Sequence, residues 1–81
     1  MLLLISSLWR YIMNGFKKLG EKIRFYREKK NISLEELAKL SGISEEKLRQ
    51  IENGEIVYEF STLLKLASVL EVELPDLLNF E

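Results

Sequence analysis

The 81-residue sequence contains no cysteine and no histidine. It therefore cannot form disulfides, and it lacks the thiolate and imidazole side chains on which most zinc sites and many nucleophile–base pairs depend. One proline and four glycines are also few for the frequent turns of an all-β fold. These absences favour an all-α protein with no metal, no cofactor and no catalytic residue. They also suit a reducing cytoplasm, where we expect the protein to act.

Charge is distributed unevenly along the chain, although the net charge is only −1. Residues 10–30 hold eight basic and two acidic side chains, whereas residues 31–81 hold four basic and eleven acidic ones. The first segment could face the phosphates of a nucleic acid, and the second would be repelled by them. Adjacent glutamates at 35–36 and 45–46 point in different directions around a helix, so they do not form a general acid–base pair. We therefore predict that the protein is not an enzyme.

The most informative stretch is residues 33–54, SLEELAKLSGISEEKLRQIENG. Ser33, followed three residues later by Glu36, has the spacing of a capping box and predicts a helix that begins at Leu34. Gly42 should end this helix, because glycine enters the left-handed region without a steric penalty. The apolar residues expected on its inner face are Leu37, Ala38 and Leu40.

A second helix should begin directly after the glycine turn. Ser44 has the position of its N-cap, and Gly54 stands where a terminating glycine belongs. The apolar residues expected to pack from the turn and from this helix are Ile43, Leu48 and Ile51.

Three short motifs in this stretch carry a resemblance to a known family. Residues 36–38 read ELA, residues 41–44 read SGIS and residues 51–54 read IENG. In this order they resemble the helix-turn-helix of the phage-repressor and Cro family, also called the xenobiotic-response-element type, and the likeness extends over about residues 18–80. The resemblance implies an all-α, compact four- to five-helix bundle of the lambda-repressor-like DNA-binding type. We predict this helix-turn-helix domain over residues 16–81, preceded by an additional apolar N-terminal helical extension over residues 1–15.

The resemblance also implies a function. Such a protein would be a sequence-specific DNA-binding transcriptional regulator that acts as a dimer on a two-fold operator and lays the second helix of its motif in the major groove. Gln50 could then bond an adenine edge in two places, and Arg49 a guanine edge. The residues expected at the double-stranded DNA are Ser44, Glu45, Glu46, Lys47, Arg49, Gln50 and Asn53, with Lys22 on the basic helix before the motif. An ion pair between Arg27 and Glu52 is implied as a structural feature.

Some residues depart from the pattern and keep a second hypothesis open. Glu45 and Glu46 would repel a polyanion, although the dipole of a helical first turn favours both without any ligand. Leu34 cannot support a phosphate contact as the family's frequent glutamine does, and the Ile56–Tyr58 loop is apolar where relatives are often basic or polar. The alternative function keeps the fold as a protein-interaction or assembly module, such as an antitoxin-like or anti-repressor partner. Its contacts would be residues 1–16 and that loop.

Residues 1–16, MLLLISSLWRYIMNGF, form an apolar run that Arg10 interrupts, and the run is too short to span a bilayer. Three interpretations remain open. In the first, the segment is a helix buried against its own domain or a second copy. In the second, translation starts at Met13 and the preceding residues are not part of the natural protein. In the third, which the few cations of the segment disfavour, it attaches to a membrane interface.

The remaining pattern predicts three more helices. A first domain helix should run from about Phe16 to Lys30 with a basic outer face, a second from Ser61 to Leu70, and a short third from residue 74 to 79 with Pro75 in its first turn. The side chains expected to face the core are Leu19, Ile23 and Tyr26 in the first and Leu63, Leu64, Leu66, Ala67 and Leu70 in the second. Those expected to close the bundle or join a dimer interface are Leu77, Leu78 and Phe80.

Overall fold

A computed structural model describes the backbone of residues 2–79 and the side chains of residues 7–79. Between residues 2 and 79 the chain has no strand, so the prediction of an all-α fold is confirmed. Its helices are α1 (Leu2–Lys29), α2 (Leu34–Ser41), α3 (Glu45–Glu52), α4 (Phe60–Leu70) and α5 (Leu74–Leu78). None of these helices is both long enough and apolar enough to cross a membrane.

One hydrophobic core lies between the five helices, and every helix contributes to it. The fully buried side chains are Ile23 from α1, Leu37 from α2, Leu48 and Ile51 from α3, Leu66 from α4 and Leu77 from α5. Burying a side chain of this size stabilises the folded state by roughly 1.5–3 kcal/mol. The core therefore fixes how α3 is rotated about its own axis, which decides which of its residues face outward.

The turn between α2 and α3 has the predicted local chemistry. Glu36 N donates to Ser33 Oγ (3.0 Å), and Ser33 N donates back to the Glu36 carboxylate (3.3 Å), which completes the capping box. Gly42 has a φ of 73°, and its N–H donates to the carbonyl of Ala38 at 2.9 Å. Ser44 then caps α3, its hydroxyl accepting from Lys47 N at 3.1 Å. Local backbone geometry thus ends α2 at Ser41 and begins α3 at Glu45.

Two leucines expected in the core are exposed. Leu40 is 61% exposed and Leu64 46% exposed. In α2 the inner position one turn after Leu37 belongs to Ser41, which is buried and accepts the Ile43 N–H through its hydroxyl. At 100° per residue Leu40 then lies well round the helix from the buried side. Leu64 is displaced in the same way from the buried row of α4, which consists of Leu63, Leu66, Ala67 and Leu70.

Helix α1 is longer than predicted, because it begins at Leu2 and not near Phe16. Its first half contains no proline, and a single interior glycine such as Gly15 costs a helix only about 1 kcal/mol. Exposed side chains in this half are Leu8, Trp9, Tyr11 and Ile12, so residues 8–12 are not buried against their own domain. For residues 1–6 the expected packing lies outside the described side chains. Helix α1 continues across residue 15, and the division of the chain near that residue stays a prediction.

Candidate nucleic-acid interface

Helix α3 has one side in the core and one side in solvent. Leu48 and Ile51 are fully buried, and they hold the inner side. On the outer side are Glu46, Arg49, Gln50 and Asn53, at the i, i+3, i+4 and i+7 spacing of a helical row. We call these four residues the reading face. Three of them are exposed and Gln50 is half-buried, so the domain itself leaves this row open.

Two other predicted contacts, Glu45 and Lys47, are exposed and flank the reading face. Ser44 lies at the start of α3, where its hydroxyl already accepts the Lys47 N–H as a helix cap. This cap is a sufficient structural role for a serine at this position. The structure therefore brings seven of the eight predicted DNA-contacting residues to α3 and its ends.

Arg49 is paired within its own helix. Its Nη2 lies 3.7 Å from Glu45 Oε1, four residues earlier, and its Nη1 donates a hydrogen bond to Glu46 Oε2, three residues earlier. Both carboxylates precede the arginine, which is the favourable order along a helix. We call this arrangement the Arg49 fork. All three side chains are about half exposed or more, so the fork stands at the protein surface.

The ion pair between Arg27 and Glu52 joins α1 to the end of α3. Arg27 Nε donates to Glu52 Oε2 at 2.7 Å, and Arg27 Nη2 donates to Glu52 Oε1 at 3.1 Å. Arg27 Nη1 also donates to the Ile32 carbonyl at 3.0 Å, which fixes the loop before α2. The hydrogen bond to Glu52 raises the pKa of Arg27 above its ordinary value, and burial opposes this rise. This bidentate pair holds the C-terminal end of α3, the helix that carries the reading face, against α1.

A second arginine on α1 shares the same carboxylate. Arg24 Nε donates to Glu52 Oε1 at 3.2 Å, and Arg24 Nη2 donates to Asn53 Oδ1 at 2.7 Å. Arg24 thus links α1 to the last residue of the reading face. The sequence predicts only a basic outer face for this helix and no specific partner for Arg24. The signal that would have found this contact is its position one helical turn before Arg27, on the same side of α1.

Helices α1 and α3 meet almost backbone to backbone. A Cβ placed on Gly20 would lie 2.4 Å from the Ile51 carbonyl oxygen and 2.5 Å from that of Glu52. One placed on Gly54, which has a φ of 69°, would lie 2.5 Å from the Cα of Lys17. Only glycine fits at either position. This close crossing puts Lys17, like Arg24, beside the C-terminal end of α3.

Lys22 is the one predicted contact that the structure does not bring to the reading face. It follows Gly20 by two residues, which is about 200° around the helix, so it faces away from α3. On that far side of α1 it lines a shallow surface depression of about 340 Å³ with Lys18, Glu21 and Phe25. Among the α1 cations, Arg24 contacts the reading face directly through Asn53, Arg27 holds the adjacent Glu52, and Lys17 lies against Gly54.

The apolar loop after α3 packs mainly against the domain. Tyr58 meets Phe16 of α1 edge to face, with ring centroids 5.1 Å apart, and Ile56 is half-buried against the core. The Tyr58 hydroxyl is enclosed and meets no hydrogen-bond partner among residues 7–79. Burial raises the pKa of this phenol. Val57 is the exposed residue of the three, so packing accounts for most of the loop's apolar character.

A family model described as a helix-turn-helix matches residues 23–77, which is more than half of the sequence. The chain belongs to the helix-turn-helix family. Among curated helix-turn-helix relatives, control protein C.SmaI of Serratia marcescens is 38% identical over 61 residues, covering 75% of this chain and 73% of the relative. The HTH-type transcriptional regulator SlrR of Bacillus subtilis (strain 168) is 39% identical over 64 residues, covering 78% of this chain but 42% of SlrR.

A solved structure agrees with this helix-turn-helix assignment. The restriction-modification controller protein C.AhdI from Aeromonas hydrophila superposes with a TM-score of 0.77 at 32% identity, covering 80% of this chain and 94% of C.AhdI. The predicted bundle of the lambda-repressor-like type is thereby confirmed. Family and relatives also confirm the broader prediction: this helix-turn-helix protein is a DNA-binding transcriptional regulator and not an enzyme.

Proposed function

We propose that the protein binds a two-fold DNA site as a homodimer and inserts α3 of each protomer into the major groove. The observation that carries this proposal is the open reading face on a helix whose opposite side is fixed by Leu48 and Ile51. In this docking mode residues along the outer side of the second helix meet base edges, and the two half-sites lie about 34 Å apart. Gln50 would then read adenine and Arg49 guanine, with Asn53 and Lys47 near the backbone.

The relatives suggest which genes such a regulator controls. C.AhdI is named as a restriction-modification controller, and this chain covers 94% of it. C.SmaI is named as a control protein and is covered to 73%. SlrR, in contrast, is covered to less than half. We therefore propose that the protein controls the expression of a restriction-modification system.

Dimer formation is supported by exposed apolar side chains on the last two helices. Phe60 and Leu64 are exposed on α4, and Leu78 is exposed on α5, whereas Leu77 is fully buried. Phe60 and Leu64 are neighbours at positions i and i+4 of α4, and exposed apolar side chains that adjoin in this way often mark an interface. The predicted contribution of Phe80 lies outside the described residues. The oligomeric state measured by light scattering, with Leu64→Ser and Leu78→Ser as interface variants, tests this part of the proposal.

DNA recognition is tested by selection from a random duplex library at two salt concentrations. We expect enrichment of a two-fold sequence whose affinity falls steeply as salt rises. Gln50→Ala should relax the sequence preference, whereas Lys17→Ala should weaken all duplexes alike. Lys22→Ala removes the same charge on the far side of α1 and is the matched control. Equal, poor binding of random and selected duplexes at low salt would exclude the proposal.

A protein contact through the first half of α1 is a second candidate, and the exposure of Leu8, Trp9, Tyr11 and Ile12 favours it. Trp9 is the only tryptophan of the sequence, so its fluorescence reports whether this surface is covered. If a second copy covers it, emission should shift to longer wavelength on dilution. Tyr11→Ser, which removes an apolar side chain from the same surface, should move this shift to a higher protein concentration. Constant, solvent-like emission at all concentrations would exclude self-association there. The start at Met13 and the disfavoured attachment to a membrane interface stay alternative interpretations of residues 1–16. The cytoplasmic location stays a prediction.

A further inference from the structure

The Arg49 fork has an unusual composition for a surface that approaches DNA. It combines one guanidinium with two carboxylates, so it carries an excess of one negative charge at neutral pH. Phosphate groups bring negative charge, whereas base edges in the groove are neutral. The fork therefore repels phosphate groups, but it does not repel base edges in the groove.

The geometry of the fork lets Arg49 read a base without leaving its partners. A guanidinium has five N–H donors, of which at most two face the carboxylates of Glu45 and Glu46, so at least three remain. Two donors suffice for the N7 and O6 acceptors of guanine. A phosphate bound by the same donors would be brought close to both carboxylates. Arg49 can accordingly serve a guanine edge while it is withheld from the backbone.

Resting on the proposed docking of α3 in the major groove, we propose that Glu45 and Glu46 are specificity-determining residues that act through Arg49. They lower affinity for random DNA, where binding consists of phosphate contacts, more than affinity for the selected site, where Arg49 contacts guanine. Carboxylates that only repelled DNA would weaken every complex. By acting through Arg49, Glu45 and Glu46 instead increase the ratio of specific to non-specific binding. The helix dipole, which favours acidic residues in the first turn of α3, is compatible with this role.

The test compares dissociation constants for the selected duplex and for random duplexes over a range of salt. In Glu45→Gln/Glu46→Gln we expect random affinity to rise about tenfold and selected affinity by about threefold or less, with a random-DNA salt slope steeper by about one. The control is Glu35→Gln, which removes one carboxylate charge from an i,i+4 pair with Lys39 on α2 and so makes half the charge change of the double variant. It should leave the specificity ratio unchanged.

Arg49→Met provides the decisive background. If the glutamates act through Arg49, the two glutamine substitutions should no longer change the specificity ratio once Arg49 is methionine. A ratio that changes equally in both backgrounds would overturn the proposal, because plain repulsion would then explain it. An unchanged ratio in the arginine background would overturn it as well. If the wild-type protein itself shows no preferred sequence, the proposed DNA recognition fails, and the role of the glutamates fails with it.

Discussion

Arg24 and Arg27 contact the same carboxylate, yet their removal should have very different costs. Glu52 has a side chain only 2% exposed, and Arg27 is 14% exposed against 45% for Arg24. Arg27→Met keeps the apolar stem but removes two of the three arginine hydrogen bonds to Glu52, together with the bond to Ile32. Breaking a buried ion pair in this way costs roughly 3–5 kcal/mol. Arg24→Met leaves the bidentate pair intact, and solvent screening limits its cost to about 1 kcal/mol.

These costs are large enough to measure. A domain of this length has a total stability of roughly 4–12 kcal/mol, so Arg27→Met should remove a large part of it. The midpoint of thermal unfolding should fall by at least about 12 °C for Arg27→Met, but by roughly 4–8 °C or less for Arg24→Met. Urea unfolding and calorimetry should agree. Arg27→Met/Glu52→Gln should cost less than the sum of its single changes, since no unpaired charge then remains buried. Equal losses for the two arginines would refute the reasoning.

Three further substitutions test glycine positions in α1 and the enclosed hydroxyl of Tyr58. Gly20→Ala should destabilise the domain by roughly 1–3 kcal/mol or more in urea unfolding, because its methyl group would overlap the α3 backbone. Gly15→Ala is the matched change at an open position, where the methyl group meets nothing within 4 Å, and it should stabilise the domain by roughly 0.5–1 kcal/mol. A Gly20→Ala protein of unchanged stability would contradict the close crossing. Tyr58→Phe should be neutral or stabilising by about 1 kcal/mol, since it removes an enclosed hydroxyl. The folded pKa of Tyr58 is raised above its ordinary 10.0, so the wild-type free energy of unfolding is independent of this group below pH 10.0 and falls above it. In an alkaline titration, Tyr58→Phe should lack this part of the fall.

Much of the fold could be predicted because its signals are local. The capping box of Ser33 and Glu36, the left-handed Gly42 and the cap Ser44 act on backbone within three or four residues, so their spacing alone defines the turn. The capped helices α2 and α3 follow each other directly, and the apolar positions of α3 define its inner and outer sides. The sequence pattern alone therefore predicts an open reading face.

What could not be predicted depends on contacts between distant parts of the chain. Leu40 fits a helical apolar pattern, but the neighbours of α2 select Ser41 for the inner position. Arg24 reaches Glu52 and Asn53 only because Gly20 lets α1 cross the end of α3 at close range. The same crossing turns Lys22 away from α3. Charge along a sequence thus indicates a basic helix, but not which of its cations stand beside the reading face.

The central claim is that side chains on the outer side of α3 read base edges. It is tested most directly by comparing wild-type protein and Gln50→Ala on the selected duplex and on every single-base-pair variant of one half-site. The account predicts that Gln50→Ala loses about 1–3 kcal/mol of discrimination at one base pair, keeps discrimination elsewhere, and leaves the salt slope unchanged. An equal loss of affinity for every duplex, or an unchanged preference at every position, would contradict it.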